Sequence, residues 1–137
     1  MLDHVIIKNN AANQGAGIRL DDCELNMSHS IIHNNSAVNE GGAIHNSFGT
    51  INMTDCAIKE NKADNYAAIY NYYGTITLKN SSITNNIAAS ETGGIYNENG
   101  SIFITNSTIG NNSANYYAGI YNKGGMMYIS HSTIAEN

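Results

Sequence analysis

The chain has 137 residues, a net charge of −5 at pH 7 and only six lysines and arginines. A nucleic-acid-binding protein needs a basic face, so this charge argues against a DNA or RNA partner. No apolar run is long enough to cross a membrane as a helix, and the first residues lack a signal-peptide pattern.

A repeat begins within the first ten residues and continues to the last. Its clearest marker is an asparagine every 25 or 26 residues: Asn10, Asn35, Asn61, Asn86, Asn112 and Asn137. A period this regular indicates a stack of structural repeats rather than a domain with one buried centre. Asparagine side chains stacked in successive repeats can hydrogen-bond to each other, so we predict an internal asparagine ladder.

Within each repeat, apolar residues recur at four further positions. The first set is Ile18, Ile44, Ile69, Ile95 and Ile120. The second is Leu25, Ile51, Ile76, Ile102 and Met127, and the third follows it two residues later in each repeat as Leu2, Met27, Met53, Leu78, Ile104 and Ile129. The fourth is Ile7, Ile32, Ile58, Ile83, Ile109 and Ile134. Apolar residues that alternate with variable ones predict strands rather than helices.

Each repeat therefore reads as three short strands, which in the most regular unit cover residues 93–97, 101–105 and 107–110. We predict an all-β fold, a parallel β-helix of about five coils of 25–26 residues, stacked about 4.8 Å apart. Residues 1–137 form a single segment of this helix. Glycines at one corner, Gly49, Gly74, Gly100 and Gly125, are predicted to adopt positive φ there.

Two groups of residues resemble a known class of repeat. Residues 41–44 read GGAI, the tetrapeptide of the chlamydial polymorphic outer-membrane proteins. Residues 93–97 and 106–114 resemble the right-handed β-helix repeats of adhesin-like surface proteins, notably the Asn-rich ones of methanogenic archaea. The chlamydial Phe-x-x-Asn motif is missing, so the wider adhesin-like class is the better match. The resemblance implies right-handed winding, a secreted or cell-surface location, and a role in attachment.

Neither end of the sequence resembles a capping segment. Stacked repeats need their exposed core and strand edges covered at both ends. We therefore expect the chain to be a piece of a longer repeat domain or to associate end to end.

The candidate binding residues are tyrosines. Tyr70, Tyr96 and Tyr121 fall at one outward position of successive coils, continued toward the amino terminus by His45 and Arg19. Tyr66 and Tyr117 are expected to lie beside them. A tyrosine joins an apolar ring to a hydroxyl group, as recognition surfaces often require. Stacked tyrosines also stabilise a sheet by packing between neighbouring strands. Of these two roles, we expect contact with a glycan or a protein on a host or neighbouring cell.

One corner position carries His4, His29 and Asp55 in successive coils, and asparagine in later ones. Two imidazoles and a carboxylate are Zn²⁺ ligand types, but a straight column converges poorly on one ion. We expect a polar corner ladder here, with no metal and no cofactor.

The same resemblance extends to polysaccharide lyases and glycoside hydrolases, which keeps an enzyme as the alternative. Glycoside cleavage needs two carboxylates at most about 9.5 Å apart. Glu40 and Glu91 are interpreted as equivalent positions two coils apart, about 9.6 Å, and Asp21, Asp22 and Glu24 form an acidic turn. We identify no catalytic residue, and therefore predict a non-enzymatic module with an adhesive role.

Overall fold

The computed structural model describes all 137 residues, Met1–Asn137, and consists of short strands joined by tight turns. The strands are β1 (Leu2–Asp3), β2 (Ile6–Lys8), β3 (Ala11–Gln14), β4 (Ile18–Asp21), β5 (Glu24–Ser28), β6 (Ile31–His33), β7 (Ser36–Glu40), β8 (Ile44–Ser47), β9 (Thr50–Thr54), β10 (Ala57–Lys59), β11 (Lys62–Ala63), β12 (Ile69–Tyr72), β13 (Thr75–Lys79), β14 (Ser82–Thr84), β15 (Ile87–Ala88), β16 (Ile95–Glu98), β17 (Ser101–Thr105), β18 (Thr108–Gly110), β19 (Ile120–Lys123), β20 (Met126–Ser130) and β21 (Thr133–Ala135). No helix long and apolar enough to cross a membrane is found.

The strands build four parallel sheets that run along the stack. Sheet A has the order β1-β5-β9-β13-β17-β20, and sheet B the order β2-β6-β10-β14-β18-β21. Sheet C has the order β15-β11-β7-β3, and sheet D the order β19-β16-β12-β8-β4. Each strand pairs with the strand one coil away, so the predicted parallel β-solenoid of about five turns is confirmed.

The three predicted strands of each coil correspond to sheets D, A and B, and the structure adds sheet C as a fourth. Two of its strands, Lys62–Ala63 and Ile87–Ala88, have only two residues each. They are strands because their backbones pair with the coils above and below. A two-residue segment is too short to show alternation, so the apolar pattern does not predict these strands.

The predicted apolar positions meet in register in the core. Ile51 pairs with Ile76, and Ile76 with Ile102, while Ile58 pairs with Ile83. All five side chains are almost completely buried and belong to one continuous hydrophobic cluster. The core is thus a column of aliphatic side chains enclosed by the sheets.

Asparagine ladders line this core at two corners. In the predicted ladder, Asn35 Nδ2 donates to Asn61 Oδ1 at 3.0 Å, and Asn86 Nδ2 donates to Asn112 Oδ1 at 2.9 Å. A second ladder, which the sequence reading missed, consists of Asn46, Asn71, Asn97 and Asn122. Both ladders allow buried amides to hydrogen-bond without water.

The predicted positive φ of the corner glycines is wrong at three of the four positions in the turn after sheet D. Positive φ occurs at the preceding residue, as at Tyr73 (52°) and Asn99 (56°), and among the four predicted glycines only at Gly125. Gly74 is small for another reason. A Cβ atom there would lie 2.7 Å from the carbonyl oxygen of Gly49 and 2.6 Å from Asn71 Oδ1. Close stacking of coils, rather than backbone conformation, therefore requires glycine here.

Candidate functional site

The candidate site is the tyrosine cluster, which we define as Tyr66, Tyr70, Tyr96, Tyr117 and Tyr121. Tyr70, Tyr96 and Tyr121 are the second residues of β12, β16 and β19, and they pair in register across sheet D. Their side chains point outward because the isoleucine before each of them points into the core. Tyr66 and Tyr117 come from the turn between sheets C and D, where each forms a backbone bridge to Thr92 of the coil between them. The structure thus brings all five predicted residues together.

The turn tyrosines stack on the strand tyrosines. The ring centroids of Tyr117 and Tyr121 are 4.0 Å apart with an interplanar angle of 14°, and those of Tyr66 and Tyr70 are 4.8 Å apart at 12°. Tyr96 lies between these pairs, 4.2 Å from Tyr66 and 5.2 Å from Tyr121. The five rings form one continuous aromatic layer over three coils.

The five tyrosines differ in their exposure to solvent. Tyr96 is only 5% exposed, since Tyr66 and Tyr121 cover it. Tyr66, Tyr70 and Tyr121 are half-buried, and Tyr117 is exposed. Tyr96 therefore holds the surrounding rings in place, while the others offer ring surface to solvent.

Charged side chains border the cluster on the side where sheet D ends. Lys123 Nζ lies 2.9 Å from Glu98 Oε1, and Tyr70 Oη donates to Glu98 Oε2 at 3.4 Å. The hydrogen bond from Lys123 to Glu98 raises the pKa of this lysine above its ordinary value. The border therefore presents one paired positive and negative charge, with donors and acceptors beside an apolar layer.

Toward the amino terminus the same outward column changes from aromatic to polar. His45 contacts Tyr70 edge to face, with ring centroids 5.0 Å apart. His45 is buried, its Nε2 lies 3.4 Å from Glu40 Oε2, and its Nδ1 has no hydrogen-bond partner. Burial is the main cause that lowers the pKa of His45 below its ordinary value. Arg19, the next residue in the column, is exposed and lies 2.9 Å from Asp21 Oδ2.

Burial also affects the ionisation of the cluster. It raises the pKa of Tyr66 and of Tyr70 far above the ordinary value for a phenol, and the Glu98 carboxylate adds to the shift at Tyr70. Both hydroxyl groups therefore stay protonated at neutral pH, as donors or acceptors of hydrogen bonds rather than as charges.

The predicted equivalence of Glu40 and Glu91 is wrong by one residue. Glu40 pairs with Tyr66, and Tyr66 pairs with Thr92, so Glu91 occupies a different position in its coil. The extra residue lies in the turn between sheets C and D, where the spacing between equivalent residues changes from 26 to 25. Sequence spacing alone does not show on which side of the turn the change occurs.

The predicted acidic turn lines the largest surface depression, of about 450 Å³. Asp22 and Glu24 form part of its wall together with Phe48. Asp21 is instead paired with Arg19. The three acidic side chains thus do not converge on one point.

The predicted corner column of His4, His29 and Asp55 is present at the junction of sheets A and B. The rings of His4 and His29 stack with centroids 4.8 Å apart, and His29 Nε2 lies 3.7 Å from Asp55 Oδ2. Asp3, which the sequence reading did not include, lies against both rings.

Comparison with known proteins gave no match to a protein-family model, to a curated protein or to a solved structure.

Proposed function

We propose that this chain is an adhesin-like module, located extracellularly or on a cell surface, that presents the tyrosine cluster to a glycan or a protein partner. The observation that carries the proposal is the continuous layer of five rings, with Tyr117 and Tyr121 stacked at 4.0 Å and supported by buried Tyr96. The surface location is supported by the resemblance of the repeats to those of adhesin-like proteins.

The geometry of the layer suits a binding role for two physical reasons. Rings that pack against each other are already ordered, so the tyrosines lose little side-chain entropy when a partner binds. Each exposed ring also combines an apolar face with a hydroxyl group, which matches the alternating C–H and O–H surfaces of a sugar. The parallel sheets underneath fix the spacing of the rings along the stack.

The second candidate function is a part of a polysaccharide-active enzyme. It is favoured by the depression that Asp22 and Glu24 line, because carboxylates are the catalytic groups of most glycoside hydrolases. Incubation with pectin, alginate and other polysaccharides tests it through the release of reducing or unsaturated ends. Turnover that disappears in Asp22→Ala would replace the adhesive proposal with this one.

The adhesive proposal is tested by binding of the purified chain to a glycan array and to intact cells. Tyr117→Ala removes an exposed ring without opening the core, and we expect it to weaken binding at least about tenfold, in line with loss of one aromatic contact. Tyr128→Ala is the matched control, because Tyr128 is a comparably exposed tyrosine on sheet A. It should bind like the wild type.

Enzymatic removal of cell-surface glycans distinguishes the two partner classes. Lost binding after this treatment identifies a glycan, while retained binding that protease abolishes identifies a protein. Equal affinity of Tyr117→Ala and the wild type for every ligand bound would exclude the tyrosine cluster as the binding surface.

A further inference from the structure

A second cluster of functional groups lies at the corner between sheets A and B, in the amino-terminal coils. The imidazole rings of His4 and His29 stack there with an interplanar angle of 16°. His4 Nδ1 lies 2.9 Å from Asp3 Oδ2, and His29 Nδ1 lies 3.1 Å from Asp3 Oδ1. The Asp3 carboxylate thus faces the Nδ1 atom of each of the two neighbouring rings.

The local fold explains why these groups meet. The corner requires the left-handed conformation, with φ of 54° at His4 and 46° at His29, and histidine is among the residues that tolerate it. Because sheet A pairs Asp3 with Ser28, the residues that follow them, His4 and His29, occupy the same corner position in successive coils. Ser28 Oγ donates to Asp3 Oδ1 at 2.6 Å and so fixes the carboxylate.

The three side chains lie close enough together to share a metal ion. Two ligands about 2.0–2.1 Å from a tetrahedral Zn²⁺ are about 3.3 Å apart. Each Nδ1 atom lies near this distance from one oxygen of the Asp3 carboxylate, 2.9 Å from Oδ2 for His4 and 3.1 Å from Oδ1 for His29. One ligand atom from each of the three residues lies within 4.8 Å of the others. Both imidazole rings are exposed and can therefore turn toward a shared ion.

A carboxylate also lies on the far side of one ring. His29 Nε2 is 3.7 Å from Asp55 Oδ2. Histidine ligands of metals commonly donate their second N–H group to a carboxylate, which orients the ring and makes the ligating nitrogen more basic. At 3.7 Å the contact is an ion pair rather than a hydrogen bond, and Asp55 would take this supporting role once the two side chains move slightly closer.

We propose that Asp3, His4 and His29 bind a divalent transition-metal ion, with Zn²⁺ as the representative ion and water completing its coordination. Two imidazole nitrogens and one carboxylate favour Zn²⁺ over Ca²⁺, which prefers six to eight oxygen ligands. The site differs from the straight His4–His29–Asp55 column of the sequence reading. Asp3 provides the convergent third ligand, and Asp55 moves to a supporting position.

Isothermal titration calorimetry of the untagged chain with ZnCl₂ tests the proposal. We expect one saturable site per chain. His29→Asn should weaken it at least about tenfold, and so should Asp3→Asn, since each removes one of three protein ligands. Asparagine is the right replacement for His29, because Asn80 and Asn106 occupy the same corner with φ of 49° and 50°. A folding defect is thereby avoided.

The matched control is His131→Asn. His131 occupies the same corner with φ of 49°, but its neighbour in the preceding coil is Asn106, so it has no second imidazole to share an ion with. This variant should bind Zn²⁺ like the wild type. Asp55→Asn should weaken binding about tenfold while the melting temperature of the metal-free protein stays the same, since only a supporting role in metal binding predicts both results.

Several results would overturn the proposal. They are the absence of saturable binding, unchanged affinity in His29→Asn and Asp3→Asn, and an equal loss in His131→Asn. Loss of binding in Cys23→Ser would assign the ion to the exposed thiol instead.

Discussion

Asn86 Oδ1 accepts two hydrogen bonds from Asn61, one from its backbone N–H and one from its side-chain amide, each 3.0 Å long. Asn86 in turn donates to Asn112 Oδ1 at 2.9 Å and to the carbonyl oxygens of Ile58 and Thr84. One buried side chain therefore joins three consecutive coils.

Asn86→Ala is expected to lower the free energy of unfolding by about 2–4 kcal/mol. The substitution leaves the buried backbone N–H of Asn61 without its acceptor and removes the amide that donates to Asn112 Oδ1 and to the carbonyl oxygens of Ile58 and Thr84. Each buried group left unsatisfied costs about 1–3 kcal/mol. Urea unfolding followed by circular dichroism measures the change. Asn39→Ala, at an exposed position of β7, should differ from the wild type by less than about 0.5 kcal/mol. Equal stability of the two variants would show that the ladder adds nothing beyond strand pairing.

Gly74→Ala tests whether close stacking of coils requires glycine at this corner. Its Cβ atom would meet the carbonyl oxygen of Gly49 at 2.7 Å, so we expect a loss of about 1–3 kcal/mol, typical of overpacking. Gly110→Ala is the control, because its Cβ atom would be 3.1 Å from the nearest atom and Thr84 stands beside it in sheet B. Chemical denaturation should show a clearly lower free energy of unfolding for Gly74→Ala than for Gly110→Ala. The reverse order would contradict the steric explanation.

Because of buried His45, we expect the free energy of unfolding to fall in mild acid. Its pKa is lowered in the folded state, mainly by burial, so the unfolded chain takes up this proton first as the pH falls below about 6.5. The free energy of unfolding should therefore decrease from pH 7 to pH 5. His45→Tyr should show a smaller decrease, because tyrosine takes up no proton in this pH range. Tyrosine should also fit at this position, since Tyr70 and Tyr96 occupy it in the next two coils. Replacement of exposed His131 by asparagine should leave the decrease as it is in the wild type.

Because of the tyrosine cluster, we expect the free energy of unfolding to fall in alkali as well. Burial raises the pKa of Tyr66 and Tyr70 in the folded state, while unfolded phenols ionise near pH 10. The unfolded chain loses these protons first, so stability should fall as the pH rises above about 10. Phenolate absorbance and circular dichroism follow the two processes in parallel. The double variant Tyr66→Phe, Tyr70→Phe should be less sensitive to alkali, whereas Tyr128→Phe, at an exposed position, should match the wild type.

The repeat period predicts most of the fold because identical positions of a solenoid have identical surroundings. Ile51, Ile76 and Ile102 could be placed in the core from their spacing alone, and they pair in register there. The second asparagine ladder was equally visible, since Asn46, Asn71 and Asn97 keep the same period. It was missed because these residues were read only as part of a strand.

Contacts across a corner could not be predicted in the same way. The stacking of Tyr66 on Tyr70 depends on the angle between the turn and sheet D, which no periodicity encodes. The approach of Asp3 to His29 likewise depends on which way each side chain leaves a left-handed corner. Spacing assigns a residue to a coil and a face, but the orientation of its side chain is decided by its neighbours.

The outward column of sheet D has different chemistry at its two ends. It begins with the cationic Arg19, continues through His45, and ends with the rings of Tyr96 and Tyr121. A linear polymer lying along the axis would meet a guanidinium at one terminus and an aromatic platform at the other. The two opposite orientations of such a polymer would therefore differ in binding energy.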